Sequence, residues 1–465
     1  MVRYSVQTSE VLLKLPKSFQ TLMEEGSLFK KWGRTLAVAP PARRKACSYQ
    51  VIEKIRGGGL LKSDVIVVGA GPAGASAAYF LARAGIDALL VDQEVFPREK
   101  VCGDGLASRA LVMLERMGLG DCLRGFPEPE VMLFSSPNGE AVRIRPERQD
   151  GFSYGRVIPR LRLDEAVVER AVVAGARLLD GTKVTSLEQR KEGLHLRGER
   201  NGSTSSPQGG HIVHLNARLA IAADGGQASF TRRLGQVRRP PDLVAVRAYF
   251  EGDVGPENRP EIHVERVIMP GYNWIFPMGG GRANVGTGTL VSTVKEGSLS
   301  LVRVMRQFVA NNPYARERLR LAEMVSPVQG HPLRTDLRGT RPYGQGVLVA
   351  GEAAGLVNPL SGEGIAYALE SGEMAATHAR RALESGDFSE AALSAYGRAL
   401  HRRYGADHQV ARFLRIFFKH PWLLNRLVRR MQQDPDFALA FGLVVIGLKP
   451  PRTVLSPRFL SRLFL

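Results

Sequence analysis

The stretch that most constrains the fold is Asp64-Val-Ile-Val-Val-Gly-Ala-Gly-Pro-Ala-Gly74, continuing to Leu89-Leu-Val-Asp92. Val65–Val68 is an apolar run of strand length, and glycines follow at positions 69, 71 and 74. Small and helix-forming residues fill positions 75–84, Gly85 stops the helix, and Ala88–Val91 reads as a second buried strand closed by Asp92. A lone G-x-G-x-x-G is weak evidence. With a strand before it, a helix after it and an acid ending the next strand, it points to a bound dinucleotide. Gly69 permits the tight turn, Gly71 lets backbone approach a pyrophosphate, and Gly74 lets helix and strand pack. The first helical turn, Ala73 included, offers free N–H groups and the positive dipole end to phosphates. Asp92 is placed to accept hydrogen bonds from a ribose.

At 465 residues the chain has room for roughly two to three domains, and its 44% hydrophobic content is that of a globular protein. The formal charge is +19, carried mostly by arginine. Such a balance suggests an anionic partner, nucleic acid or an acidic membrane surface. Nucleic acid is not expected, because the basic residues are dispersed and no known binding motif is present. Cys47, Cys102 and Cys122 make neither a disulfide framework nor a metal site, so a reducing cytoplasm is the default. The first twenty residues lack the apolar core of a signal peptide. The longest charge-free apolar run, Phe437–Leu448, is 12 residues, too short to span a bilayer.

Residues 1–62 carry 12 Lys/Arg against 4 Glu and read as a basic extension with a linker ending near Lys62. The dinucleotide-binding domain is expected in three pieces, 63–130, 156–240 and 340–385. Strands at 131–155, with a Pro137-Asn138-Gly139 turn, and at 241–339 belong to an inserted antiparallel sheet. Within 241–339 the expected strands are 244–250, 261–269, 272–276, 283–288 and 325–328, interrupted by a helix at 299–311. A helix runs to Ala174, with Asp164 near its start as a dipole match. Segments 184–196 and 211–215 read as a hairpin with a polar tip at 201–210, and 217–223 as another buried strand. Residues 386–465 are helical, basic and apolar. The expected class is α/β: a Rossmann-like nucleotide-binding domain, an inserted antiparallel β-sheet domain and a C-terminal helical region.

Four separated pieces converge. They are the opening βαβ unit; Ala223-Asp224-Gly225; Gly351-Glu352-Ala353-Ala354-Gly355 through Gly362-Glu363-Gly364-Ile365; and the Cys102-Gly103-Asp104-Gly105 loop. Together they resemble FAD-dependent oxidoreductases of the p-hydroxybenzoate hydroxylase type, and within these the geranylgeranyl reductase family. Tyr272-Asn-Trp274-Ile-Phe276-Pro277, followed by Ala283-Asn284-Val285-Gly286, is similar to that family's sheet-domain signature. The resemblance covers about residues 64–430. It implies an FAD-binding domain and an inserted substrate domain.

It further implies FAD contacts from Gly69, Gly71, Ala73, Gly74 and Asp92, from Cys102, Gly103 and Gly105, and from Arg160, Val184, Asp224, Glu352, Gly364 and Ile365. The family normally has aspartate where this chain has Glu352. Asp224 is implied to approach the pyrophosphate, Arg160 to lie by phosphate or adenine, and Val184 to offer backbone to adenine. Cys102 is implied to sit beside the flavin. Arg98 and Lys100 nearby suggest a thiolate there, with a small residue packing under the ring as the plainer alternative. Asp104 is a second proton-donor candidate and Tyr272 a third. Tyr272, Trp274 and Phe276 alternate on one strand face and are expected to contact substrate.

The implied activity is FAD-dependent saturation of C=C bonds in the prenyl (geranylgeranyl or polyprenyl) chain of a membrane lipid or quinone. The electron donor is external: ferredoxin, NAD(P)H or a deazaflavin. Nine Lys/Arg against one acid between Arg398 and Met431, interleaved with Phe413, Ile416, Phe417 and Trp422, suggest an anionic membrane surface as a further partner. A protein peripherally attached to the inner face of the cell membrane is the expected location. The rival reading is a monooxygenase or halogenase acting on a hydrophobic aromatic or polyene substrate.

Overall fold

Apolar runs without polar alternation are buried only where both faces of a sheet are covered. The computed structural model describes residues 60–145, 155–200, 211–445 and 447–464. In it Leu60–Val68, Ala88–Val91, His211–Ala222 and Val347–Val349 form the centre of one sheet, with Val65–Val68, Ala88–Val91, Leu219–Ala222 and Val347–Val349 buried. Its order is Tyr343–Gly344, Val347–Val349, His211–Ala222, Leu60–Val68, Ala88–Val91, Arg177–Leu179. The last five are mutually parallel. Helices Pro72–Arg83, Arg160–Val173 and Ile365–Ser385 share the core of this sheet. The first and third lie so close that a Cβ on Gly372 would stand 2.3 Å from the Ala73 carbonyl oxygen.

Four expectations are corrected here. The first strand begins at Leu60 rather than beyond Lys62, because Leu60 and Leu61 pair with His214 and Leu215. The rest of the basic extension lies outside the described residues, as does the 201–210 tip. The expected 184–196 strand is two strands, Thr182–Arg190 and Gly193–Arg200, turning at Lys191-Glu192 with Gly193 at φ +127°. Segments 211–215 and 217–223 are one strand, antiparallel to Gly193–Arg200 at its polar start and central and parallel at its apolar end. Asp164 is the fifth residue of its helix rather than part of the first turn, and its carboxylate takes Arg160 and Arg98 instead of free amides.

The second sheet runs Glu323–Met324, Leu243–Glu251, Arg282–Leu290, Tyr272–Gly279, Glu261–His263, Met132–Ser135, Ala141–Ile144, with Gln329–Leu333 also on Leu243–Glu251. It is antiparallel except where Met132–Ser135 meets Glu261–His263. The expected 261–269 strand stops at His263 and gives way to a 3₁₀ turn at Arg266–Ile268. The 325–328 strand is absent from its place. Pro327 has no N–H for a ladder, and pairing resumes only at Gln329. The expected 299–311 helix forms as Leu301–Asn311, its first turn held by the Ser300 side chain.

Helices Glu390–Leu400, Ala406–Phe417, Pro421–Gln433, Pro435–Val445 and Pro457–Phe464 complete the chain. The last four bury Leu414, Leu424, Leu427, Val428 and Phe441 against Met132, Phe134 and Ile144 of the second sheet. Tyr272 and Leu360 pack at the margin of that cluster. Among the described residues no helix is long and apolar enough to cross a membrane.

Candidate active site

The opening glycines do what their positions require. Gly69 has φ +101°, and a Cβ there would meet the Ala223 carbonyl oxygen at 2.4 Å, so two strand ends meet at this turn. A Cβ on Gly74 would stand 1.8 Å from the Gly69 oxygen, the close helix–strand packing expected of it. Helix Pro72–Arg83 begins with Gly71 as N-cap and no side-chain cap, leaving its amides for a ligand. Asp92 braces the turn: one carboxylate oxygen accepts from the Ala70 N–H at 2.6 Å and the other from Glu94 N–H at 2.9 Å. A carboxylate accepts about four hydrogen bonds, so capacity remains for a ribose.

A cavity of about 710 Å³ starts at this cradle and passes between the two sheets. Its walls include Gly69, Gly71, Ala73, Asp92, Cys102, Gly103, Gly105, Arg160, Val184, Asp224, Glu352, Gly364 and Ile365, together with Tyr272, Trp274 and Phe276. The residues expected from four distant stretches therefore line one cavity. Two do not reach it. Gly74 lies behind the turn in its packing role, and Asp104 is fully buried outside the lining.

Asp104 is thus displaced from the role of direct proton donor. It holds φ +61°, and its carboxylate is consumed by neighbours: Arg160 N–H at 3.3 Å, Tyr249 O–H at 2.7 Å and Asn284 Nδ2 at 2.9 Å. Burial pushes its carboxyl up to about 6 against those hydrogen bonds. Asn284 is the second hub, fully buried. It accepts from Trp274 Nε1 at 2.9 Å and donates to the Cys102 carbonyl at 2.8 Å, so one amide ties the aromatic wall to the cysteine loop. Gly103 and Gly105 let that loop lie against the rings, since a Cβ on either would sit about 3.3–3.5 Å from Trp274 or Phe276.

The Cys102 environment also differs from the expectation. Burial pushes the thiol up, opposed by Arg160, so the resting form is the neutral thiol. Arg160 is the cation against the sulfur, not Arg98 or Lys100. Its guanidinium is fixed on Asp164 by bonds of 2.6 and 2.7 Å. Arg98 instead pairs with Asp164 at 3.0 Å and reaches toward Gly71, at the phosphate end of the cradle. Tyr272 donates its hydroxyl to the Ser361 carbonyl, and burial raises it to about 12. Asp224 spends its carboxylate on Phe230 N–H and on the Thr231 amide and hydroxyl, shaping the loop that lines the cavity.

Sequence reasoning missed three groups. Lys100 Nζ lies 3.1 Å from His331 Nε2, which is 3.8 Å from Glu352, and all three line the cavity. Burial lowers Lys100 and His331. Burial alone would raise Glu352, but His331 and Lys100 hold it below the usual carboxylate range. The Glu352 carboxylate reaches toward this pair, 3.8 Å from His331 Nε2. Glu363 also lines the cavity and accepts from Ala366 N–H at 2.7 Å, and burial pushes it up to about 7. His331 carried no local signal, because its strand was not foreseen. Asn284 and Glu363 stood inside quoted motifs without a role.

Residues 62–251 match the FAD binding domain model, and residues 250–328 match the model of the geranylgeranyl reductase catalytic domain. The chain is 33% identical over 369 residues to the menaquinone reductase of Mycobacterium tuberculosis, covering 78% of this chain and 85% of that protein. It is 34% identical over 353 residues to digeranylgeranylglycerophospholipid reductase 1 of Methanopyrus kandleri, covering 72% and 85%. A solved geranylgeranyl bacteriochlorophyll reductase-like structure from Thermoplasma acidophilum superposes with TM-score 0.72 at 23% identity, over 87% of this chain and 100% of that one. The cradle fits FAD on its own geometry, with free helix amides, Arg98 beside Gly71, Asp92 at the strand end and a second helix start at Gly364. With the cofactor half and the catalytic half matched in order along one chain, this protein is an FAD-dependent reductase and belongs to the geranylgeranyl reductase family.

Proposed function

We propose that the protein saturates C=C bonds in the prenyl chain of a membrane lipid or quinone. The observation that carries this reading is the cavity beyond the cysteine loop. There Tyr272, Trp274 and Phe276 form one wall and Ile262, Leu360 and Val445 continue it, an apolar passage suited to an isoprenoid tail. FAD held in the cradle and reduced by the external donor would supply a hydride equivalent to one alkene carbon. The chain's own part is to align the tail, exclude water and deliver a proton to the other carbon.

Cys102 is the donor we assign. It faces the cavity as a neutral thiol, and the Arg160 guanidinium beside it stabilises the thiolate left after transfer. Asp104 and Asn284 are positioning residues that hold the loop. Glu352, Gly364 and Ile365 are assigned to the flavin end of FAD, and Asp92 and Val184 to its adenosine end. The proposed partners are the prenylated substrate, an external donor (ferredoxin, NAD(P)H or deazaflavin) and an anionic membrane surface on the cytoplasmic side.

Lipid mass spectrometry on cells with and without the gene tests the reaction. The expected result is a quinone or ether lipid whose tail gains two hydrogens per reduced bond only when the gene is present. Unchanged isoprenoid tails refute it. For the donor, Cys102→Ala should keep FAD and its reduction while losing tail saturation, and full activity in that variant removes the assignment.

A further inference from the structure

Helix Ala406–Phe417 carries apolar residues on two faces, of which the core takes one, and Pro421–Gln433 opens with an outward-facing Trp422. Leu414, Leu423, Leu424, Leu427 and Val428 are buried in the cluster that adjoins Tyr272 and Leu360. Phe413, Ile416, Phe417 and Trp422 point outward, 47%, 58%, 39% and 59% exposed. Positions 413, 416 and 417 have the spacing of one helical face. The rings of Phe413 and Phe417 meet edge to face at 4.8 Å, so the ridge is ordered on the surface. Among the described residues, every exposed Phe or Trp (413, 417, 422 and 464) lies in this C-terminal region. Single exposed aliphatics elsewhere are ordinary; a concentration of aromatics is not.

We infer that this ridge is the face by which the protein docks on an anionic lipid bilayer, feeding the tail directly into the cavity. This rests in part on the prenyl reading above and names the partner and route of that same site. Charge complementarity favours a bilayer over a second copy of this strongly basic chain. Exposed Lys419 and His420 flank the ridge, Arg426 lies over the ring of Phe464, and Asp434 is paired with Arg430 and Arg462. Aromatic rings ringed by basic residues suit the headgroup boundary. Continuity supplies the second argument. Arg415 projects from the Ala406–Phe417 helix into the cavity lining, and Val445 does so from the end of Pro435–Val445. The helix that carries Phe413, Ile416 and Phe417 therefore also borders the cavity.

The test is co-sedimentation of the full-length FAD-loaded protein with phosphatidylglycerol–phosphatidylcholine vesicles, beside pure phosphatidylcholine vesicles, with brominated acyl chains as tryptophan quenchers. Binding to the anionic vesicles is expected to be about tenfold or more tighter, with quenching that disappears in Trp422→Phe. I416S/W422S should lose vesicle binding while still turning over a short, water-soluble prenyl substrate. Absence of vesicle binding, equal binding to both vesicles, binding retained by the double variant, or a dimer that dissolves in it would each overturn the inference. Vesicle binding requires no turnover, so a protein that docks this way yet leaves every tail unsaturated sinks the prenyl reading alone.

Discussion

Asn284→Ala is the most demanding perturbation of the site, because one buried amide holds two walls. Truncation removes three hydrogen bonds of 2.8–2.9 Å. Asp104 keeps Tyr249 as a partner, but the Trp274 Nε1–H and the Cys102 carbonyl are left without one. An orphaned buried polar group costs about 1–3 kcal/mol, so two, plus the vacated volume, give a loss of about 3–5 kcal/mol. Urea denaturation of wild type and variant, each with and without FAD, measures it. Because Trp274 and the Cys102 loop are released together, tail saturation should fall more steeply than FAD affinity. N284D keeps the acceptor for Trp274 but sets a carboxylate against Asp104, so it should be rescued as pH falls. A loss under about 1 kcal/mol with unchanged saturation would refute the hub.

Other outcomes follow from the same geometry. Asp104 has its folded carboxyl raised from 3.8 to about 6, so its contribution to stability is present below pH 3.8 and lost as pH rises through about 6. The span is about 3 kcal/mol, and Asp104→Asn should flatten that part of the stability–pH curve. Glu363, up to about 7, should give the pH–rate profile a limb near neutrality that Glu363→Gln removes. Glu352→Gln withdraws the charge facing His331 and Lys100 and should weaken FAD binding about tenfold by fluorescence titration, roughly the worth of one charged hydrogen bond. Gly74→Ala should fail to fold as a soluble FAD-binding protein, since no relaxation of a few tenths of an ångström accommodates a Cβ 1.8 Å from backbone oxygen.

What could be read from the chain beforehand was what local pattern encodes. The cradle was legible because glycine spacing, strand length and a terminal acid are properties of one contiguous stretch, residues 64–92. The aromatic wall was legible because alternation places Tyr272, Trp274 and Phe276 on one face. What escaped depended on folding across the chain. His331 sits on a short strand whose register is set by Leu243–Glu251, so its meeting with Lys100, 231 positions away, has no local signature. Asp104 looked like an acid beside a cysteine, yet its positive φ turns its carboxylate away from the cavity and into the reach of Tyr249 and Asn284. Arg98 and Lys100 looked like neighbours of Cys102 by number. Asp164 holds Arg98 and His331 meets Lys100, which leaves Arg160 at the sulfur.

Helix Ile365–Ser385 bears on how the enzyme acquires its cofactor. Gly372 nests on Ala73, the Leu369 carbonyl accepts from Ser76 Oγ at 2.8 Å, and a Cβ on Gly351 would meet that of Ala73 at 2.6 Å. The glycine turn emerges early from the ribosome, but the surface that steadies it is made some three hundred residues later. A nascent chain halted before Leu369 lacks the surface that backs the nucleotide turn, so a chain truncated there is expected not to retain FAD.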